Sequence, residues 1–466
     1  MEYNRILVLL CLLVGASALH GQMLLISGIE VEGNHKTKER IILRELDFAV
    51  GDTITQASLS TRLDRNRNNL LKTGLFTEVT LNISEWNTEL QQIAIAISVA
   101  ESWYIFPVPL FELADRNFNV WWTEQKRSLS RVNVGLRLQL LNLNGINDHL
   151  KIKGQLGYTP KFELTYLLPF VNRKQTVGLE FNVLRSVNKE ISLLNADNKQ
   201  MFFEQDDEII FRRTRVRLGT VFRPNLYVTH RLRMVYQRNS VLESLVAEYN
   251  PDFFLEGRDR QESVGIEYEF VYDDRNRAIL PTRGWYTGLE LVKGGIGLFG
   301  DVNTLAISPF VRFYHPVSRK VSVALAAKVK RSLNRDKVAY YNYWGLGFLE
   351  DYLRGYELYV IGGLDYVYAK NEIRLQLVDA TIDWKRKMPI RSFRVMPWQF
   401  YLSFNYDVGY VNDPFYAEGN SFTNRWLHGG GVGFNFLLYN IFVFQVELSA
   451  NHLGEKGLFL HTKTSF

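Results

Sequence analysis

The chain has a single cysteine, Cys11, and it falls within the first 21 residues. That opening carries Arg5, an apolar run from Ile6 to Val14 and then the small residues Ala16, Ser17 and Ala18. It has the form of a cleaved secretory signal, residues 1–21, and is too short to span a bilayer. A lipid-attachment reading of Leu9-Leu10-Cys11 is disfavoured, because the residue before the cysteine is not small. An exported mature chain without a thiol has no disulfides, so packing and strand pairing must hold it together. After the signal there is no run of eighteen consecutive apolar residues, which excludes a spanning helix. Charge of one sign is lacking too: 55 Lys and Arg against 49 Asp and Glu leave +6, and the basic residues are scattered. No nucleic-acid partner follows from such a distribution. The 8 histidines include no pair at metal-ligand spacing, and there is no Gly-x-Ser-x-Gly elbow. Gly294-Gly295-x-Gly297 lacks the Gly-Lys-Ser/Thr of a phosphate loop and reads as a turn. No metal, no cofactor and no bond-breaking chemistry are expected.

What is abundant is aromatic residues, 14% of the chain. An exported, aromatic-rich protein without a spanning helix is either soluble or a transmembrane β-barrel. From Ser128 onward the pattern has period two. Val132, Val134, Leu136, Leu138 and Leu140 alternate with Asn133, Gly135, Arg137 and Gln139. The same holds for Val216, Leu218, Thr220 and Phe222, for Val321 to Val329, and for Phe442, Phe444, Val446 and Leu448 set against Gln445, Glu447 and Ser449. One face is apolar and the other is polar, basic or small, which suits lipid outside and water inside better than a soluble sandwich. At roughly twenty-odd residues per strand and loop, the region 128–466 holds ~16 strands, within the bacterial range. The last residues, with Leu458 and Leu460 alternating toward Phe466, read as a final barrel strand. Residues 103–127 contain Trp103, Pro107, Pro109, Trp121 and Trp122, and read as a linker and aromatic interface segment in which the prolines break regular structure.

Residues 22–102 form a separate α/β module in the order strand, helix, helix, strand, strand. Leu24–Gly33 is the first strand, Thr37 caps a helix through Leu46, Thr55–Lys72 is a second helix stopped by Gly74, and Phe76–Ile83 and Leu90–Ala100 are strands. Ile29-x-Val31-x-Gly33-Asn34, Leu43-x-x-Leu46, Gly51-Asp52 and Gly74-Leu75-Phe76-x-x-Val79 resemble a POTRA (polypeptide-transport-associated) domain. The resemblance implies a periplasmic module that binds extended chains by adding a strand to a sheet edge. The candidate client-binding edge is the strand carrying Phe76, Val79 and Leu81.

Asp273-Asp274-Arg275-Asn276 followed by Pro281-Thr282-Arg283-Gly284 reads as a strand end, turn and strand start. It resembles the hairpin of BamA/TamA-type outer-membrane assembly barrels, the bacterial surface-antigen superfamily. Leu353-Arg354-Gly355-Tyr356 resembles the Val-Arg-Gly-Phe/Tyr signature of that family's long sixth loop, here around 345–363. The resemblance implies that the loop folds back into the lumen and that Arg354 meets acids on the wall. Asn371-Glu372-x-Arg374 and Asp407-Val408-Gly409 match the following strands, with Glu372 expected as first partner and Asp407 as second, since Asn405 stands where an aromatic is usual. The implied function is assembly of outer-membrane proteins, with unfolded barrel clients entering through the POTRA domain and leaving by a seam between the first strand, near 128–140, and the last, 458–466. Outer-membrane lipid is the solvent, and periplasmic or lipoprotein accessory subunits are the further partners such a resemblance allows. A two-partner-type secretion pore and a substrate pore with a periplasmic docking domain are the alternatives.

Overall fold

In a computed structural model the chain is described over residues 23–461, apart from 114, 116, 117, 206, 207, 349, 390–392 and 441. The signal segment and Phe466 therefore lie outside the described residues. Two compact units divide at the boundary between Ser102 and Trp103.

The first unit is a four-stranded sheet ordered Thr53–Thr55, Met23–Glu32, Gln92–Glu101, Phe76–Asn87, carrying the helices Glu39–Arg44 and Leu59–Lys72. The central pair is parallel and the outer pairs are antiparallel. Ile41 and Ile42 on the first helix and Leu70 on the second are buried, as are Leu24, Ile26, Ile93, Ile95 and Ile97 of the sheet. Gly33 sits at φ +85°, where a Cβ would lie 2.0 Å from the Val99 carbonyl oxygen, so the turn requires glycine. Thr37 does not cap the first helix. Lys38 occupies that position with no side-chain cap, while the Thr37 amide donates to Glu101 Oε1 at 2.6 Å. Phe76–Asn87 has a single neighbour and is the sheet's long free edge, with Phe76, Val79 and Leu81 turned into the core.

The second unit is built on an antiparallel sheet of 16 strands, all neighbours being consecutive along this sheet from Ile105–Leu113 to Lys456–His461, with the hairpin of Glu190–Ala196 and Lys199–Glu204 outside it. The short helix Phe118–Thr123, which follows the first strand, lies against the last strand, so the sheet curls round into a barrel. Alternation sets the two faces. Val323, Ile373, Phe404, Val432, Leu448 and Leu458 stand opposite one another across six strands in one outward apolar row. Residues one step along, such as Glu372, Asn405 and Ser449, face the lumen and are buried. Among the described residues nothing pairs Ile105–Leu113 with Lys456–His461, so the sheet has two free edges.

Two sequence expectations are corrected here. Residues 103–127 are not a linker throughout, since Ile105–Leu113 is the first barrel strand, paired with Val132–Leu141. The seam strand is therefore this one and not the segment near 128–140. The prolines misled because they mark an edge. The Leu141 amide donates to the Tyr104 carbonyl, so even-numbered residues of the first strand face their neighbour and residues 105, 107 and 109 face the free side. Proline is tolerated there because no ladder bond is lost.

Candidate functional site

The loop between strands Val321–Ser332 and Asp365–Asp383 descends into the barrel and buries Leu353, Arg354 and Tyr356. Its base is pinned by a reciprocal bridge between Leu346 and Ile361. The chain then passes so close to the wall that small residues are obligatory on both sides. Gly355 has φ +83°, and a Cβ there would sit 2.6 Å from the Ala450 carbonyl carbon; a Cβ on Gly429 would meet the Arg354 carbonyl oxygen at 2.1 Å.

Arg354 is fully buried and spends its guanidinium on three carboxylates from three strands. Its Nη1 donates to Asp407 Oδ1 at 2.9 Å, Nη2 to Glu372 Oε2 at 3.2 Å and Nε to Glu447 Oε2 at 3.2 Å. Its backbone amide also donates to Asp407 Oδ2 at 3.1 Å, so Asp407 holds both side chain and main chain. Burial by itself would weaken the proton's hold, but the charges of Asp407, Glu447 and Glu372 outweigh it and raise the arginine pKa. The planar fork of arginine fits this arrangement, whereas a lysine point charge would not.

Two of the acids, Glu372 and Glu447, are supported in turn. Arg374 Nε donates to Glu372 Oε1 at 2.6 Å, Asn405 Nδ2 to Glu447 Oε2 at 3.1 Å and Gln445 Nε2 to the same oxygen at 2.9 Å. Beside the arginine, Asp351 accepts from Lys328 Nζ at 3.0 Å and from the Tyr366 and Tyr368 hydroxyls at 2.7 and 2.8 Å. Burial pushes the Asp351 carboxyl up, but Lys328 and the two tyrosines outweigh it and hold the group below the usual carboxylate range.

The turn between Asp273 and Gly284 is wired to the same network. Asn276 Oδ1 accepts from the Thr282 and Arg283 amides at 3.1 and 3.2 Å, Asp274 caps the Trp285 amide, and Gly284 at φ +108° leaves room for the Asp274 carbonyl. Arg275 pairs with Asp273 at 2.8 Å. The Pro281 carbonyl accepts from Arg374 Nη1 at 2.9 Å, and Arg277 donates to Gln399, to the Tyr401 hydroxyl and to the Leu280 carbonyl. Leu280, held at φ +46°, is buried between Tyr401 and Leu437. A leucine in the left-handed region is strained by about 1–2 kcal/mol, so packing and the two arginines must keep it there. Arg374 thus joins this turn to the acids around Arg354.

The structure brings Leu353, Arg354, Gly355, Tyr356, Glu372 and Asp407 together and ties them to the turn of Asp274, Arg275, Asn276, Pro281 and Gly284. The order of partners differs from the sequence expectation: Asp407 makes the closer and doubled contact, Glu372 the single one. Glu447 and Gly429 were not foreseen as site residues. Glu447 was legible only as an inward-facing polar residue in the alternation of Phe442–Leu448. Leu458 and Leu460 lie on the last strand, with Leu458 facing outward opposite Leu448. Among the described residues no group of acids and histidines is arranged to hold a metal.

The Omp85 superfamily domain matches residues 142–436, and the POTRA family described as a surface antigen variable number repeat matches residues 24–102. BamA from Haemophilus ducreyi lacking POTRA domains 1–3 superposes with a TM-score of 0.53 at 14% identity, covering 94% of this chain and 83% of that one. CdiB from Acinetobacter baumannii superposes with a TM-score of 0.51 at 12% identity, covering 94% and 73%. At such identities the likeness speaks for the fold alone. No curated protein sequence matches the chain.

Proposed function

The chain belongs to the Omp85 superfamily, and from that premise we propose that it is an assembly factor of the cell outer membrane with its POTRA domain in the periplasm. Unfolded barrel clients dock on the free edge Phe76–Asn87 by strand addition, where main-chain groups carry the contact and tolerate many sequences. They are then inserted at the seam between Ile105–Leu113 and Lys456–His461. The observation that carries this reading is that, among the described residues, an otherwise continuous sheet of 16 strands has two unpaired edges, because an exposed edge is a template for another strand. The loop around Arg354 acts as a latch that keeps the lumen occupied while the seam works. Nothing in this arrangement asks for catalysis.

The test uses the cysteine-free mature chain, with one cysteine placed on the first strand and one on the last. Oxidation should abolish client insertion into vesicles and reduction should restore it. Full insertion by the oxidised protein would reject the seam. A second reading, export through the lumen, is favoured by the polar, cation-rich wall on strands Val132–Leu141 to Val228–Val241. It predicts client transport that survives the seam lock and is lost when the Arg354 loop is immobilised.

A further inference from the structure

The lumen wall opposite the latch carries charges that the network above does not use. Strand Phe211–Phe222 points Arg213, Arg215 and Arg217 inward at successive alternate positions, with Leu218 and Phe222 facing out. Such side chains stand roughly 7 Å apart and repel unless each is paired. Pairing is complete for the arginines farther along the wall. Arg217 meets Glu267 at 3.4 Å, Arg231 meets Glu269 at 3.1 Å, and Arg233 meets Glu180 at 3.1 Å and Glu269 at 3.5 Å. It stops at Arg213 and Arg215, which have no carboxylate within ion-pair distance among the described residues; Arg213 donates to the Tyr341 hydroxyl and lies over the Phe211 and Tyr341 rings, neutral partners all.

Those two arginines lie at and beside a cavity of about 350 Å³, at the lower end of ligand-pocket volumes, ~300–1,000 Å³. Lys161 reaches the same cavity, since it pairs in register with Ser186, which in turn pairs with Arg213. The next row runs from Glu163 through Leu184 to Arg215. Arg131 also lines the space but is already committed to Asp115 at 2.9 Å and to Glu190. Continuing the row of Arg213, Asn239 and Gln261 are 1% and 2% exposed, and Asn239 Oδ1, Gln261 Nε2 and the Nε atoms of Arg213 and Arg215 have no hydrogen-bond partner. The rest of the lining is mixed: Tyr158, Phe202, Tyr340, Trp344 and Phe348 offer aromatic faces, while its acids are already paired, Asp115 and Glu190 with Arg131 and Glu124 with Lys199 at 2.7 Å.

We propose that this cavity binds an acidic sugar unit, its carboxylate or phosphate held by Lys161 and Arg213 and its ring lying against the aromatic faces. The oxyanion supplies the missing counter-charge, and the planar guanidinium fork suits it. A ring of alternating C–H and hydroxyl groups matches aromatic faces set beside the polar side chains of Ser186, Asn188, Ser192 and Gln200.

Calorimetric titration of the full chain in neutral detergent tests it, with sodium glucuronate, sodium phosphate, glucose and tetraglutamate as probes. Glucuronate should bind saturably, at least tenfold more tightly than glucose and more weakly as sodium chloride rises. Phosphate binding alongside it extends the site to phosphosugars. Lys161→Gln and Arg213→Gln should each weaken glucuronate by tenfold or more at an unchanged melting temperature, which separates lost binding from a folding defect. No saturable heat with glucuronate, equal binding of glucose, equal affinity in the Gln variants, or preference for tetraglutamate would each overturn the proposal.

Discussion

Around Arg354 the charge count is decisive. Glu372, Asp407 and Glu447 bring three negative charges into a buried ion-pair network in which Arg354 and Arg374 bring two positive ones, with buried Lys370 opposite Asp407 in the sheet but in no ion pair with it. Removing Arg354 takes the ion pair from both Asp407 and Glu447, and stranding buried charges in this way costs about 3–5 kcal/mol. Arg354→Ala should lower the urea midpoint of the barrel and expose residues 345–363 to protease. Adding Glu447→Gln to that variant should recover part of the loss, since it removes one of the stranded charges. A urea midpoint like that of the wild type in Arg354→Ala would show that the ion pairs hold nothing in place. The sequence made Arg354, Glu372 and Asp407 legible through their motifs. It could not rank them, because the doubled contact of Asp407 depends on where the loop's main chain runs. Glu447 has no motif, and Gly429 is explained only by the carbonyl that passes over it.

At the scale of the element, the first barrel strand is the segment that sequence reading lost. Pro107 and Pro109 look like breaks until the register shows both facing the free side, where they remove two amide donors from the edge. An edge that accepts but donates poorly resists zipping to its neighbour. Restoring two donors would add about 0.5–1.5 kcal/mol per bond formed. Pro107→Val with Pro109→Val should therefore raise the barrel's melting temperature, shift the seam toward closure by about tenfold or more, and slow client insertion correspondingly. Insertion as fast as wild type, together with a raised melting temperature, would separate seam closure from function and count against the seam as the insertion route. The helices and strands of residues 23–102 were more legible, because each is local and punctuated by Gly33, Gly51 and Gly74, all at positive φ.

For the molecule as a whole, the two faces of each strand answer to different solvents, and that is why a period of two carried most of the barrel into view. The loops above it were not readable in the same way. Asn198, for instance, joins the hairpin Glu190–Glu204 to both neighbouring long loops through Val360 and Phe422, a contact between segments more than 150 residues apart that no local pattern encodes. Lipid exposure, by contrast, gives a direct quantitative expectation. Phe404 lies midway along Val395–Asn412, is 50% exposed and sits in the outward row between Ile373 and Val432. A cation at the midplane of a barrel's lipid face costs about 2–4 kcal/mol, falling toward zero near the interfaces. Phe404→Arg should destabilise the barrel by that amount in urea titrations performed in vesicles. Trp426→Arg, at the strand end in Trp426–Leu438, should cost about 1 kcal/mol or less. Equal penalties at the two positions would mean that the apolar belt is not centred on the row through Phe404, and the strands would have to cross the bilayer at a different height.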